Sequence, residues 1–289
     1  MRKVVIFGLL FGASVPRLWA GWGYEYMNIN ADPSVAFLPL DTNPAQSLWQ
    51  PGVTVPRGRW SAASSAWLGG TYLGSFHWSP TPGIQVHLVG LWSGTMDETD
   101  ASGRVVGTFS TQHLYLGETF QRPLGAALTL GLGAGLYAQS IGGKGSLALG
   151  GQVGLRWQAP NRPLQVAVAL ANLGVEIKPM EQQRFHPAPQ LRLVVRYVPG
   201  TAVDLSAGAV ASPVGSWIHL AGRYQLTPLL GVALAYTTQW NALKLGDPND
   251  FLIGLMPGVD LTWRRLRLTY AFGPLAAVGD LHLLSLSFR

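Results

Sequence analysis

Cysteine is absent from the 289 residues, which excludes disulfides, thiolate nucleophiles and cysteine-ligated metals together. Charge is scarce as well. Asp, Glu, Lys and Arg make up 12% of the chain, about half the share usual in soluble domains, whereas 48% is hydrophobic. Long apolar runs are also missing, since beyond the N-terminus no stretch reaches the roughly 18 residues that a membrane helix requires. The longest candidate, 126–138, is rich in glycine and sets Leu128, Leu130, Leu132, Ala134 and Leu136 against Thr129, Gly131, Gly133, Gly135 and Tyr137. That is strand periodicity, and a chain this apolar without a spanning helix points to strands in lipid.

The alternation recurs along the chain. In 190–197, Leu191, Leu193, Val195 and Tyr197 share one face while Arg192 and Arg196 share the other. In 266–273, Leu266, Leu268, Tyr270 and Phe272 oppose Arg267, Thr269, Ala271 and Gly273. A slip of one residue would exchange lipid and lumen faces, so each register is strongly specified. The pattern predicts strands over 59–67, 70–79, 83–93, 108–120, 125–137, 146–158, 164–172, 189–198, 202–210, 216–225, 228–238, 251–264, 266–273 and 281–289. Fourteen is an even number, as expected of an all-β, antiparallel transmembrane barrel. Connections alternate between tight and long, the long ones including 94–107, 173–188 and 239–250, which places both barrel termini on the periplasmic side. Trp67, Trp78, Trp92, Trp157, Trp217, Trp240 and Trp263 fall near strand ends and are expected to form interfacial girdles.

The first 20 residues read as a signal peptide: Arg2 and Lys3, an apolar run from Val4 to Ala13, and Leu18-Trp19-Ala20 before the cleavage point. Loss of the cations Arg2, Lys3 and Arg17, with no acidic residue among them, lowers the formal charge from +6 to +3. The remaining cations are scattered, so no nucleic-acid partner is expected. The expected location is the outer membrane of a Gram-negative-type cell, with its lipid as a partner. Residues 21–58 do not alternate, and they carry Asp32-Pro33, Asn43-Pro44 and Gln50-Pro51-Gly52 among the aromatics Trp22, Tyr24, Tyr26, Phe37 and Trp49. The lumen of fourteen strands is too wide for wall side chains to fill, so 21–58 is assigned as an N-terminal plug and 59–289 as the barrel.

Little in the chain resembles a catalytic site. Asp97, Glu98 and Asp100, with Ser102 and Gly103, gather oxygen ligands, but the spacing is not that of an EF-hand, and a solvated acidic loop is the favoured reading. Their outside position makes them a candidate contact surface. Arg156, Arg192, Arg196, His219 and Arg223 are expected to line the lumen, where such groups tune selectivity. The six histidines show no H-E-x-x-H spacing, and no metal or cofactor is expected. Ser206 or Ser216 beside His219 lacks any nucleophile motif, so no enzyme is predicted.

The stretch from Trp92 to Phe120, WSGTMDETDASGRVVGTFSTQHLYLGETF, resembles the third-strand, loop and fourth-strand region of the PorV/PorQ family. These are outer-membrane barrels of the type IX secretion system, related in fold to the FadL transporters. Tyr24-Glu25-Tyr26-Met27-Asn28 is similar to the family's opening motif, and Trp49-Gln50-Pro51-Gly52 stands where Trp/Tyr-Asn-Pro-Ala is usual. Ala66-Trp67-Leu68-Gly69-Gly70 and Ala171-Asn172-Leu173-Gly174 agree as well. The resemblance implies a FadL-like barrel serving type IX secretion, with other secretion components and cargo bearing C-terminal sorting domains as partners. The alternative is a FadL-like channel for hydrophobic small molecules; a soluble secreted β-protein is the third reading.

Overall fold

The computed structural model describes residues 44–53, 55–66, 70–180, 187–244, 246, 248–275 and 279–288. The proposed signal peptide, the plug as far as residue 43, Trp67 and His186 lie outside them.

Among the described residues, alternation is realised as sixteen strands: β1 (Trp60–Ala66), β2 (Tyr72–Thr81), β3 (Ile84–Trp92), β4 (Met96–Thr99), β5 (Val105–Phe109), β6 (Thr111–Pro123), β7 (Leu128–Ile141), β8 (Lys144–Gln158), β9 (Leu164–Lys178), β10 (Gln190–Tyr197), β11 (Val203–Ser212), β12 (Gly215–Gln225), β13 (Leu230–Thr237), β14 (Leu255–Trp263), β15 (Leu266–Pro274) and β16 (Asp280–Phe288). Fourteen of them close into an antiparallel barrel, in which β3 pairs with β6 and β1 with β16, while β4 and β5 form a separate hairpin. Closure leaves no strand edge in lipid, where an unpaired backbone group would cost several kcal/mol. Outward residues are large and apolar: Leu114, Leu116, Phe120, Leu132, Leu191, Leu193, Leu220, Leu234, Leu284 and Leu286 are all exposed. Inward neighbours such as Arg192, Ser206, Asp260, Arg267 and Ser285 are buried. An apolar belt outside a polar interior reverses the soluble arrangement, so the soluble reading fails and the barrel spans a bilayer.

Trp78, Trp92, Trp157 and Trp263 project outward near strand ends, as a girdle requires. Trp240 does not. It sits on a 3-10 turn (Thr238–Leu243) and packs against an interior cluster containing Leu243, Ile253 and Leu281. The connection expected as an outside loop therefore folds into the barrel mouth, because its apolar residues are better buried there than left in water.

Several strand limits also differ from the sequence pattern. Gly142 and Gly143, both at positive φ, join β7 to β8 in a two-residue turn, so these strands run on to 141 and from 144. Tight turns therefore also occur at the long-loop end, here and at Pro213-Val214. β9 continues six residues past 172 because of a bulge: Gly151 pairs with Leu173 but Val153 with Leu170, leaving Ala171 and Asn172 opposite Gln152. Asn172 takes up the left-handed conformation at φ 58, and the extra residue moves the outward set from Val168 and Leu170 to Leu173, Val175 and Ile177. A strict period of two breaks there, although the strand does not. The loop over 94–107 is largely the β4–β5 hairpin, and β14 begins only at Leu255, after a second 3-10 turn (Asp250–Leu252).

Candidate functional site: the lumen and its internal segment

A short helix, α1 (Pro44–Trp49), and the turn after it lie inside the barrel. α1 packs against β1, β2 and β3, where Leu48 joins Leu73, Val89, Leu91, Tyr115, Tyr137 and Ala148 in an apolar cluster. From there the chain crosses to β10. Arg192 Nη1 donates to the Trp49 carbonyl at 2.9 Å, and its guanidinium stacks 4.1 Å from the Trp49 ring centre. Gln190 Oε1 accepts from both Nε and Nη2 of the same arginine. Val53 then packs with Ala167 and Val194, and Ser79 Oγ of β2 reaches the Val55 carbonyl.

The wall is shaped to receive this segment. A Cβ on Gly131 would lie 2.0 Å from the Pro51 carbonyl carbon and oxygen, and one on Gly154 would lie 3.0 Å from Pro51 Cδ. Gly52 itself approaches the backbone of Arg156 so closely that a Cβ there would meet its nitrogen at 2.8 Å. A Cβ at Gly131 or Gly52 would force backbone to move, and one at Gly154 would be tight. Trp49, Gln50, Pro51 and Gly52, assigned to the plug, are thus seated against β7, β8 and β10.

Around the segment the lumen is divided by polarity. Towards the long-loop end, two clusters face inward: the one at α1, and a second made by Ala233, Ala235, Leu243, Ile253, Met256, Leu281 and Leu283 with Trp240. Tyr115 and Tyr137, with ring centres 4.7 Å apart, lie flat over Gly117, Gly135 and Gly150, where no Cβ would fit beneath them. Towards the short-turn end the lining is polar. On β1, β2, β3 and β6 it is neutral, with Ser61, His77, Gln85, His87, Thr119 and Gln121 all buried. On β10 to β15 it is ionic. Arg196 forms a two-bond ion pair with Asp204. Asp260, fully buried, accepts from Arg223 at 2.6 Å, from Arg267 at 2.6 and 3.0 Å, and from Thr269.

All five residues expected in the lumen do face inward, although they form no single cluster. Arg192 holds the internal segment, Arg196 and Arg223 are tied to aspartates, Arg156 donates to Gln158, and His219 is half-buried opposite Gly208. Ser206 Oγ makes no hydrogen bond, and Ser206 stands opposite Ala221 rather than His219. Sequence reasoning missed the partners Asp204, Asp260 and Gln190, although alternation already placed them inward. It also missed His77 and His87, which face each other across the β2–β3 hairpin with Nδ1 atoms 3.0 Å apart; His87 Nε2 reaches Thr119 Oγ1 at 3.0 Å and Ser47 Oγ at 3.4 Å. Counting back from the turn at Pro82-Gly83 would have set His77 opposite Leu88; the register shift between Trp78 and Thr81 brings it opposite His87 instead.

Outside the lumen, Asp97, Glu98 and Asp100 are exposed on the hairpin. Asp100 Oδ1 accepts from the Ser102 hydroxyl, the Ser102 amide and the Arg104 amide, and Gly103 turns at φ 80. The Ser102 hydroxyl first, and the Arg104 amide next, hold this carboxyl below the usual carboxylate range. Asp100 is therefore the brace of a turn. Among the described residues no group of three or more His, Cys, Asp or Glu could hold a metal.

No family model matches the chain, and no curated protein does. Among solved structures it is similar to the toluene transporter TbuX of Ralstonia pickettii, with TM-score 0.60 and 9% identity over 89% of this chain and 98% of that one. A FadL homologue of Pseudomonas aeruginosa gives TM-score 0.56 and 9% identity over 88% and 96%. The toluene transporter TodX of Pseudomonas putida gives 0.53 and 11% over 94% and 98%. At these identities the likeness is one of fold: a closed fourteen-strand barrel of the FadL-like kind.

Proposed function

We propose that this chain is an outer-membrane channel for hydrophobic small molecules, with residues 44–56 acting as part of an internal plug. The observation that carries the proposal is the pair of apolar clusters facing the lumen at its long-loop end, beside a segment seated on glycines. An apolar solute entering from outside would meet these clusters first, and burying it there is favourable by about 25 cal/mol per Å². Below them the polar floor is costly for such a solute to cross, so passage depends on displacing the segment. The FadL-like fold supports this reading over type IX secretion. That expectation rested mainly on residues 92–120, which here form the end of β3, an exposed hairpin and most of β6, and nothing further supports sorting-domain cargo or secretion partners.

The test is flux into proteoliposomes of radiolabelled toluene and of a long-chain fatty acid, read against vesicles containing the barrel without residues 21–53. Faster entry of either solute than into protein-free vesicles is expected, rising further without the segment. Flux equal to that of empty vesicles in both preparations would overturn the proposal.

A further inference from the structure

The outward face of β6 reads Gln112, Leu114, Leu116, Glu118, Phe120 and Arg122. Gln112 and Arg122 stand near the strand ends, but Glu118 is exposed between Leu116 and Phe120. Strand pairing sets Val86 of β3 on one side of it and Ala134 of β7 on the other, with Leu88, Leu132 and Leu136 beyond. Among the described outward residues of the fourteen barrel strands, it is the one acidic or basic side chain with apolar residues both before and after it on its own strand face. Arg122 is four residues on, roughly 13 Å along the strand, and the two side chains form no ion pair.

Hydrocarbon offers a carboxyl group no hydrogen-bond partner, and such a group inside a membrane ordinarily faces protein. When protonated it is both donor and acceptor, so it is complementary to a second copy of itself. A two-fold axis along the membrane normal keeps both copies at one depth, and a residue on that axis meets its own counterpart. Beside Glu118 the outward surface is low, because Ala134 pairs with Gly151 of β8, and small residues let a second backbone approach closely. We propose that the outer face of β3, β6 and β7 is the contact face of a membrane dimer of this chain, in which the two Glu118 side chains meet on the two-fold axis. Nothing in this depends on what the lumen passes.

The chain has no cysteine, which makes single-cysteine cross-linking in native membranes direct. Ala134→Cys is expected to give a homodimer band at least about tenfold stronger than Leu220→Cys on β12, as 1 to 2 kcal/mol of association implies. Adding Glu118→Gln, whose amides also pair reciprocally, keeps the band, and adding Glu118→Ala reduces it about tenfold. Heat-modifiable gel mobility checks that each variant is folded. Equal bands at 134 and 220, an unchanged band with Glu118→Ala, or a product of another protein's mass would each overturn the proposal.

Discussion

Gly131→Val should dislodge the internal segment without disturbing the wall that carries it. The missing Cβ would stand 2.0 Å from the carbonyl carbon and oxygen of Pro51 and 2.5 Å from the Gly52 nitrogen. Carbon atoms rest about 3.5 Å apart or more, so the turn must withdraw by on the order of 1.5 Å, and more to clear valine's methyls. It has no room to slide, because Gly154 flanks Pro51 and the Arg156 backbone flanks Gly52. Withdrawal breaks the bond from Arg192 to the Trp49 carbonyl, worth about 1.5 to 3 kcal/mol for a charged donor, and the guanidinium–indole stack, worth about 0.5 to 2 kcal/mol. Together these are about 2 to 5 kcal/mol, which lowers the docked-to-released ratio by at least about thirtyfold. Valine suits a strand, so β7 should keep its ladder. Single-channel recording in planar bilayers reads the result. Open probability should rise in Gly131→Val, remain at the parent level in Gly125→Val, where nothing lies within 4 Å of the added carbon, and not rise further in Gly131→Val when residues 21–53 are also removed. A folded Gly131→Val barrel with parental conductance would refute the claim that this contact holds the segment in place.

Asp260→Ala should leave Arg223 and Arg267 facing each other without their shared carboxylate, and removing one partner of a buried ionic group costs about 3 kcal/mol or more. Urea titration of the folded barrel should show a lower midpoint, with Asp260→Asn intermediate; an unchanged midpoint would mean that lumen water already screens the cluster. The brace at Asp100 has a pH sign. Its carboxyl is held below the ordinary carboxylate range, so its stabilisation of the turn is fully present above that range and is lost as pH falls through the lowered value. A nitroxide at Val106 should gain mobility only at such acid pH in the parent but already at neutral pH in Asp100→Ala, and a flat profile in both would contradict the assignment.

Lipid outside and a wet lumen inside make opposite demands on neighbouring residues, which is why β10, β15 and β16 can be read directly from their letters. The same demand makes Arg192 and Arg196 legible as inward residues. It does not reveal what they hold, since Trp49 reaches Arg192 only through the path of α1 and Asp204 reaches Arg196 only through strand pairing. The bulge at Asn172 hid the end of β9 because it changes parity instead of ending the alternation. Trp240 was misplaced for a related reason: proximity to a strand end says nothing about whether a loop turns outward or folds back. The glycines under Tyr115, Tyr137 and Pro51 look like weak strand residues in one dimension, and their use is visible only once the rings and the turn lie on them.

Every neighbouring pair of strands in this barrel is also close in sequence except the seam, where Trp60 of β1 meets Phe288 of β16. The other pairings require only local loops, whereas the seam must bring together the two ends of the barrel sequence, the slowest kind of contact to make. The internal segment immediately precedes β1. It need never be threaded into a finished pore, because a sheet that curls from β1 towards β16 can close around a segment already lying on its inner face.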